Sequence, residues 1–126
     1  MLSIASTSTA KTSGVVTVAP ATASQQVNLG AADSAGVLGL SSAEAGYITA
    51  GTLRLGASGG TNSGNITVSA AVSPTTFSTM ALRTSGAVSG TGAVTIANLG
   101  VSAGGDINLS GQNNVTTLAM TTSKAT

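Results

Sequence analysis

Seven charged side chains make up almost the whole acid–base inventory of this 126-residue chain: Asp33, Glu44 and Asp106 against Lys11, Arg54, Arg83 and Lys124. There is no His and no Cys. Zinc sites, thiol chemistry, disulfide frameworks and His-based triads therefore lack their atoms. Glycoside hydrolysis would need two carboxylates facing each other across a sugar. The three carboxylates here are widely spaced, and Asp106 occupies an outward place in its strand pattern, where a solvated surface role suits it. Lyases and pectinases built on β-helices need clusters of Asp, Lys, Arg or His in a groove, which this chain cannot supply. Gly104-Gly105-Asp106 partly matches a calcium-binding glycine–aspartate repeat, but it occurs once and calcium takes about six to eight oxygens. The run from Gly56 to Gly64 lacks the Lys of a phosphate loop and reads as a corner. Arg54 and Arg83 read as lone surface charges. The expectation is a non-enzyme with no catalytic, cofactor-binding or metal residues and no cofactor.

The bulk of the chain is small side chains: 21 Ala, 17 Gly, 18 Ser and 20 Thr, against 6% charged residues. A cytosolic domain carries about a quarter charged residues. A net charge of +1 provides no electrostatic footprint for nucleic acid or an anionic membrane. A mean hydropathy of +0.40 is too apolar for an ordinary disordered linker. The unbroken apolar stretches are short, far from the roughly 20 residues that a spanning helix needs, so no membrane insertion is expected. Met1-Leu2-Ser3-Ile4 lacks the basic and apolar regions of a signal peptide. If the protein is exported, the expectation is that this chain is a fragment of a larger protein whose leader lies elsewhere.

Repetition carries the fold signal. Gly followed by two apolar residues in alternation recurs as Gly14-Val15-Val16-Thr17-Val18, Gly51-Thr52-Leu53-Arg54-Leu55, Gly64-Asn65-Ile66-Thr67-Val68, Gly92-Ala93-Val94-Thr95-Ile96 and Gly105-Asp106-Ile107-Asn108-Leu109. Period-two alternation marks a strand with one face buried, and the leading Gly marks a turn. A second set fixes the period. Phe77, Ile96 and Val115 open similar segments at equal spacing, which sets a repeat of about 19 residues. Gly86-Ala87-Val88 falls on Gly105-Asp106-Ile107 in that register. Ala70 to Thr75, containing Pro74, looks like a three-residue insertion.

A repeat of this size fits one turn of a stacked-strand array. The fold class expected is all-β, a parallel β-helix of about 19 residues per coil over residues 1–126. Residues 1–13 and 121–126 are candidate flexible ends. At that period the chain would make roughly six or seven coils. Stacked strands lie about 4.8 Å apart, so equal positions align in columns. Apolar columns face inward and Thr, Ser and Asn ladders face outward; like charges stacked this closely would repel, which explains their scarcity. Leu82, Ile96, Val101, Ile107, Leu109 and Leu118 are expected to point inward. Thr67, Thr95, Asn108 and Arg54 are expected to point outward as a candidate binding face. Ser41, with Glu44 three residues later and Ala between, predicts one short helix near 42–47.

Gly51-Thr52-Leu53-Arg54-Leu55-Gly56, the stretch from Gly64 to Pro74, and the stretch from Leu99 to Gly111 resemble segments of filamentous-haemagglutinin-like adhesins and autotransporter-type passengers. That resemblance implies a right-handed parallel β-helix, export to the bacterial cell surface, and service as a stalk or adhesive fibre. The function expected is thus a structural or adhesive module of an extracellular protein. Its partners would be further copies stacked head to tail through open ends, or a host surface or glycan. The alternative is a solenoid that binds carbohydrate, a surface or ice through a Thr/Ser/Asn face. Arg54 and Asn108 interrupt the outward Thr column, which argues against an ice-binding array.

Overall fold

The computed structural model describes residues 10–57 and 63–124. Its alternating segments form strands β1 (Ala10–Lys11), β2 (Val15–Val18), β3 (Gln26–Leu29), β4 (Val37–Leu40), β5 (Ile48–Thr49), β6 (Thr52–Leu55), β7 (Ile66–Val68), β8 (Thr79–Thr84), β9 (Val88–Gly90), β10 (Thr95–Ala103), β11 (Ile107–Leu109) and β12 (Asn114–Thr122). A single helix, α1 (Ser42–Gly46), interrupts them among the described residues. The protein is all-β, and every pairing between these strands is parallel.

Two five-stranded sheets account for most of the structure. The first has the order β12-β10-β8-β6-β2 and the second β11-β9-β7-β3-β4, while β1 and β5 form a two-stranded pair. The chain crosses from first sheet to second four times, at β2–β3, β6–β7, β8–β9 and β10–β11. Alternation within each strand puts Val, Ile, Leu and Met of both sheets into one buried cluster. Leu53, Leu55, Ile66, Val68, Met80, Leu82 and Val88 are completely buried there. Burying a side chain of this size contributes about 1.5–3 kcal/mol, so this apolar cluster is the main support of a chain with only 6% charged residues.

The sequence period holds strictly toward the C-terminal side. Thr79 pairs with Asn98, and Asn98 with Thr117; in the second sheet Val88 pairs with Ile107. Earlier levels are longer. Ile66 pairs with Val88, a step three positions longer than the period, which matches the insertion read between Ala70 and Thr75. Thr52 pairs with Thr79, a longer step still; its remaining five extra positions fall between Leu55 and Ile66. These insertions correct the expected coil count. Among the described residues each sheet has five strands, fewer than the six or seven full coils that a uniform period implies.

The longest excursion lies between β3 and β6. After Leu29 the chain turns through a Ser34–Val37 bridge, and β4 pairs with the outer edge of β3, Val27 opposite Leu38. Asp33 steadies this turn, its Oδ1 accepting the Gly39 N–H at 2.6 Å. The helix expected near 42–47 is present as α1, capped by Ser41, whose Oγ accepts the Glu44 N–H at 3.2 Å. Glu44 Oε2 in turn accepts the Ser41 N–H at 3.0 Å. Leu40, Ala45 and Ile48 from this segment are buried in the shared core. Of the candidate flexible ends, Ala10–Lys11 and Thr121–Thr122 are strand residues, whereas 1–9 and 125–126 lie outside the described residues.

Candidate functional site

The carboxylates do not converge. Asp33 holds the β3–β4 turn, Glu44 closes the capping box, and Asp106 meets Lys124 Nζ at 2.9 Å on the surface. Both partners of that ion pair are largely exposed, so it is worth under about 1 kcal/mol. Among the described residues no group of three or more Asp, Glu, His or Cys is placed to hold a metal ion. Among them too, no helix is long and apolar enough to cross a membrane.

The outward residues singled out from the sequence separate onto different surfaces. Arg54 lies in the first sheet, flanked in register by Thr17 and Ala81. Thr67 and Asn108 lie in the second sheet, and Ser89 stands between them as the shared partner. Thr95 opens β10 in the first sheet, opposite Asn114. Thr95 and Asn108 are exposed, and Thr67 and Arg54 half-buried. Asn28 extends the second-sheet column beyond Thr67, giving Asn28, Thr67, Ser89 and Asn108 as one polar rank. The Asn28 carboxamide oxygen also accepts the Ser69 hydroxyl at 2.7 Å. Asn28 and Ser89 are not legible as members of this rank from the repeat alone. The steps that align them, Asn28 to Thr67 and Thr67 to Ser89, contain the insertions and so depart from the period.

A different surface collects apolar groups. Of the residues expected to point inward, Leu82, Ile96 and Val101 are buried, Ile107 and Leu109 half-buried, and Leu118 is 54% exposed. Leu118 continues the column Leu53, Met80, Leu99, so its register is the expected one. It is exposed because β12 pairs on one side alone and no second-sheet strand lies beyond β11 among the described residues. Leu99, Leu109, Asn113, Val115, Leu118 and Met120 line a cleft of about 260 Å³ there. The large apolar side chains that stand exposed among the described residues are Val15, Leu118 and Met120. All three lie on β2 and β12, the two end strands of the first sheet.

No family model, no curated protein and no solved structure matches the chain.

Proposed function

We propose that the chain is a right-handed parallel β-helix serving as a structural and adhesive module of an exported bacterial surface protein, without catalytic activity. The observation that carries this reading is the in-register pairing of equally spaced residues in β8, β10 and β12, across a chain that keeps alternating between two parallel sheets. Parallel strands joined by a crossover are right-handed in nearly all proteins, which supports the hand. A rod of stacked strands presents long, chemically repetitive faces. Its surface is poor in charge and rich in hydroxyls, suited to spacing rather than to turnover. The resemblance of the Gly-led segments to adhesin stalks points to the same use.

Antibodies raised against the chain should label intact cells of its source, and protease added to those cells should remove the label. Labelling that requires permeabilised cells would overturn the surface location. A crystal structure without a continuous strand stack would overturn the architecture.

The rank Asn28, Thr67, Ser89 and Asn108 favours a second reading, carbohydrate binding through a flat polar face. Binding to immobilised glycans that is lost in a Thr67→Val, Asn108→Val double variant would support it. Equal retention of both proteins would exclude it.

A further inference from the structure

We propose that the outer face of the first sheet binds an acidic polysaccharide. Arg54 and Arg83 hold a uronate carboxylate of that polymer, and the Thr and Asn column beside them takes neighbouring sugar hydroxyls. This rests on the module reading above and names what the module adheres to.

Two arginines share this face without a counter-charge. Alternation turns Arg54 of β6 and Arg83 of β8 away from the core, between residues that are buried. Arg54 pairs with Ala81, so Arg83 stands one level up and two residues along, about 8 Å away between Cα atoms. Two arginine side chains can converge on one anion from that separation. Like charges on neighbouring strands repel, yet this face carries two of the four basic residues of the chain. None of the three carboxylates lies on a strand of this sheet. Asp33 holds the β3–β4 turn, Glu44 closes the helix cap, and Asp106 meets Lys124 in the ion pair found among the described residues. Arg54 Nε is sealed from solvent without a hydrogen-bond partner, so part of this guanidinium is already desolvated. A guanidinium receives a carboxylate through two parallel N–H···O bonds, which gives the site its chemistry.

The rest of the face suits the uncharged parts of a sugar chain. Ala81 and Gly100 continue the register column of Arg54, so the lane leading away from it carries almost no side chain. Thr79 and Asn98 border that lane on one side, Arg83 and Ser102 on the other. Asn98 Nδ2 donates to Thr79 Oγ1 at 3.3 Å. That bond orients the amide, leaving its oxygen to accept from a sugar hydroxyl and the Thr79 hydroxyl to donate to one. Charge is sparse here, two guanidinium groups among hydroxyls, amides and small side chains. A polymer with spaced carboxylates matches that density better than a densely sulfated one. A nucleic acid matches it less well. Neither the one Phe nor the one Tyr lies on these strands to stack a base. The net charge of +1 adds no wider attraction for a phosphate backbone.

Binding of the full chain to immobilised hyaluronan, which alternates uronic acid with a neutral amino sugar, tests this directly. Dextran, dextran sulfate and a single-stranded DNA oligonucleotide serve as the neutral, sulfated and nucleic-acid comparisons. Hyaluronan should bind, dextran should not, and neither dextran sulfate nor the oligonucleotide should bind more tightly than hyaluronan. Arg54→Gln and Arg83→Gln should each weaken hyaluronan binding about tenfold or more. Arg54→Lys keeps the charge without the fork and should recover only part of the loss. Both side chains point outward, so these variants should retain the parent's circular dichroism; if Arg54→Gln does not, Arg83→Gln decides alone. The Thr67→Val, Asn108→Val protein, altered on the second sheet, should bind hyaluronan like the parent. Absence of hyaluronan binding, equal binding by the Arg83→Gln protein, or equal binding to dextran would overturn the proposal. Tighter binding to dextran sulfate or to the oligonucleotide would overturn it in favour of plain charge attraction or of nucleic acid. Surface labelling of cells without glycan binding would leave the module reading standing, so the two failures are told apart.

Discussion

Thr84 Oγ1 donates a hydrogen bond at 3.0 Å to the carbonyl oxygen of Ser63, a residue 21 positions earlier and one level down the stack. The same oxygen also contacts the Gly64 carbonyl and accepts the Gly86 N–H at 2.9 Å. Ser63 is itself buried, its hydroxyl donating to Arg83 O at 3.1 Å. Among the described residues these are the two buried polar side chains, and each secures a corner that the strand ladders leave open.

Thr84→Val keeps the shape and removes the hydroxyl, leaving the Gly86 N–H and the Ser63 carbonyl without that partner. An unsatisfied buried group costs about 1–3 kcal/mol, so urea unfolding should show a loss of that size. Thr84→Ser should recover most of it. Equal midpoints for Thr84→Val and the parent would mean that this corner is held by other contacts.

Leu53 and Leu118 occupy one column, three levels apart. Leu53 is completely buried and Leu118 is not. Leu53→Ala should therefore cost about 2–5 kcal/mol, the usual range for a core cavity. Leu118→Ala, at the uncovered end, should stay within about 1 kcal/mol of the parent in dilute monomer. Comparable losses at the two positions would show that Leu118 is covered in solution.

Much of this arrangement is legible from residue order, and the exceptions have physical causes. The register of β8, β10 and β12 follows from the repeat because no insertion falls between Thr79 and Thr117. Period-two alternation says which face a side chain takes; it says nothing about whether another level covers that face. That is why Leu118 has the expected register and the opposite exposure. The Gly-led pattern is shared by strands of both sheets, so it does not separate Arg54 from Thr67 and Asn108. Strand β4 keeps the Gly-led spacing as Gly36-Val37-Leu38-Gly39-Leu40, but Val37 and Gly39 stand where polar outward residues would be, so the pattern is weaker there. The capping box, by contrast, is local chemistry, and Ser41 with Glu44 locates α1 without tertiary information.

Ser89 and Asn108 are register partners on the exposed face of the second sheet, and the chain has no native Cys. Pyrene attached to a Ser89→Cys, Asn108→Cys double variant should give strong excimer emission, since neighbouring strands lie about 4.8 Å apart. A Ser89→Cys, Thr17→Cys variant places the labels on different sheets and should give monomer emission. Excimer from the second pair, or none from the first, would contradict the register. Emission should be read in dilute solution, so that pairs formed between molecules do not contribute.

The segment from β4 to β5 packs against the core near its β2 end, and its geometry depends on the Ser41–Glu44 cap. Ser41 Oγ donates to Glu44 Oε2 at 2.7 Å as well as accepting the Glu44 N–H. Ser42 Oγ donates to Ala71 O at 2.8 Å, tying α1 to the following level. Ser41→Ala should cost about 0.5–2 kcal/mol, as loss of an N-cap usually does. Glu44→Gln preserves the reciprocal box, because Gln can accept the same Ser41 N–H, and should be close to neutral. Amide exchange should rise first in Ser42–Gly46 of the Ser41→Ala protein, and then in Ile48 and Thr49, which the helix positions against β1. Exchange in β10 should stay unchanged, since its pairings with β8 and β12 do not pass through this end. A uniform rise across all strands would instead mean that the cap supports the whole stack as one cooperative unit.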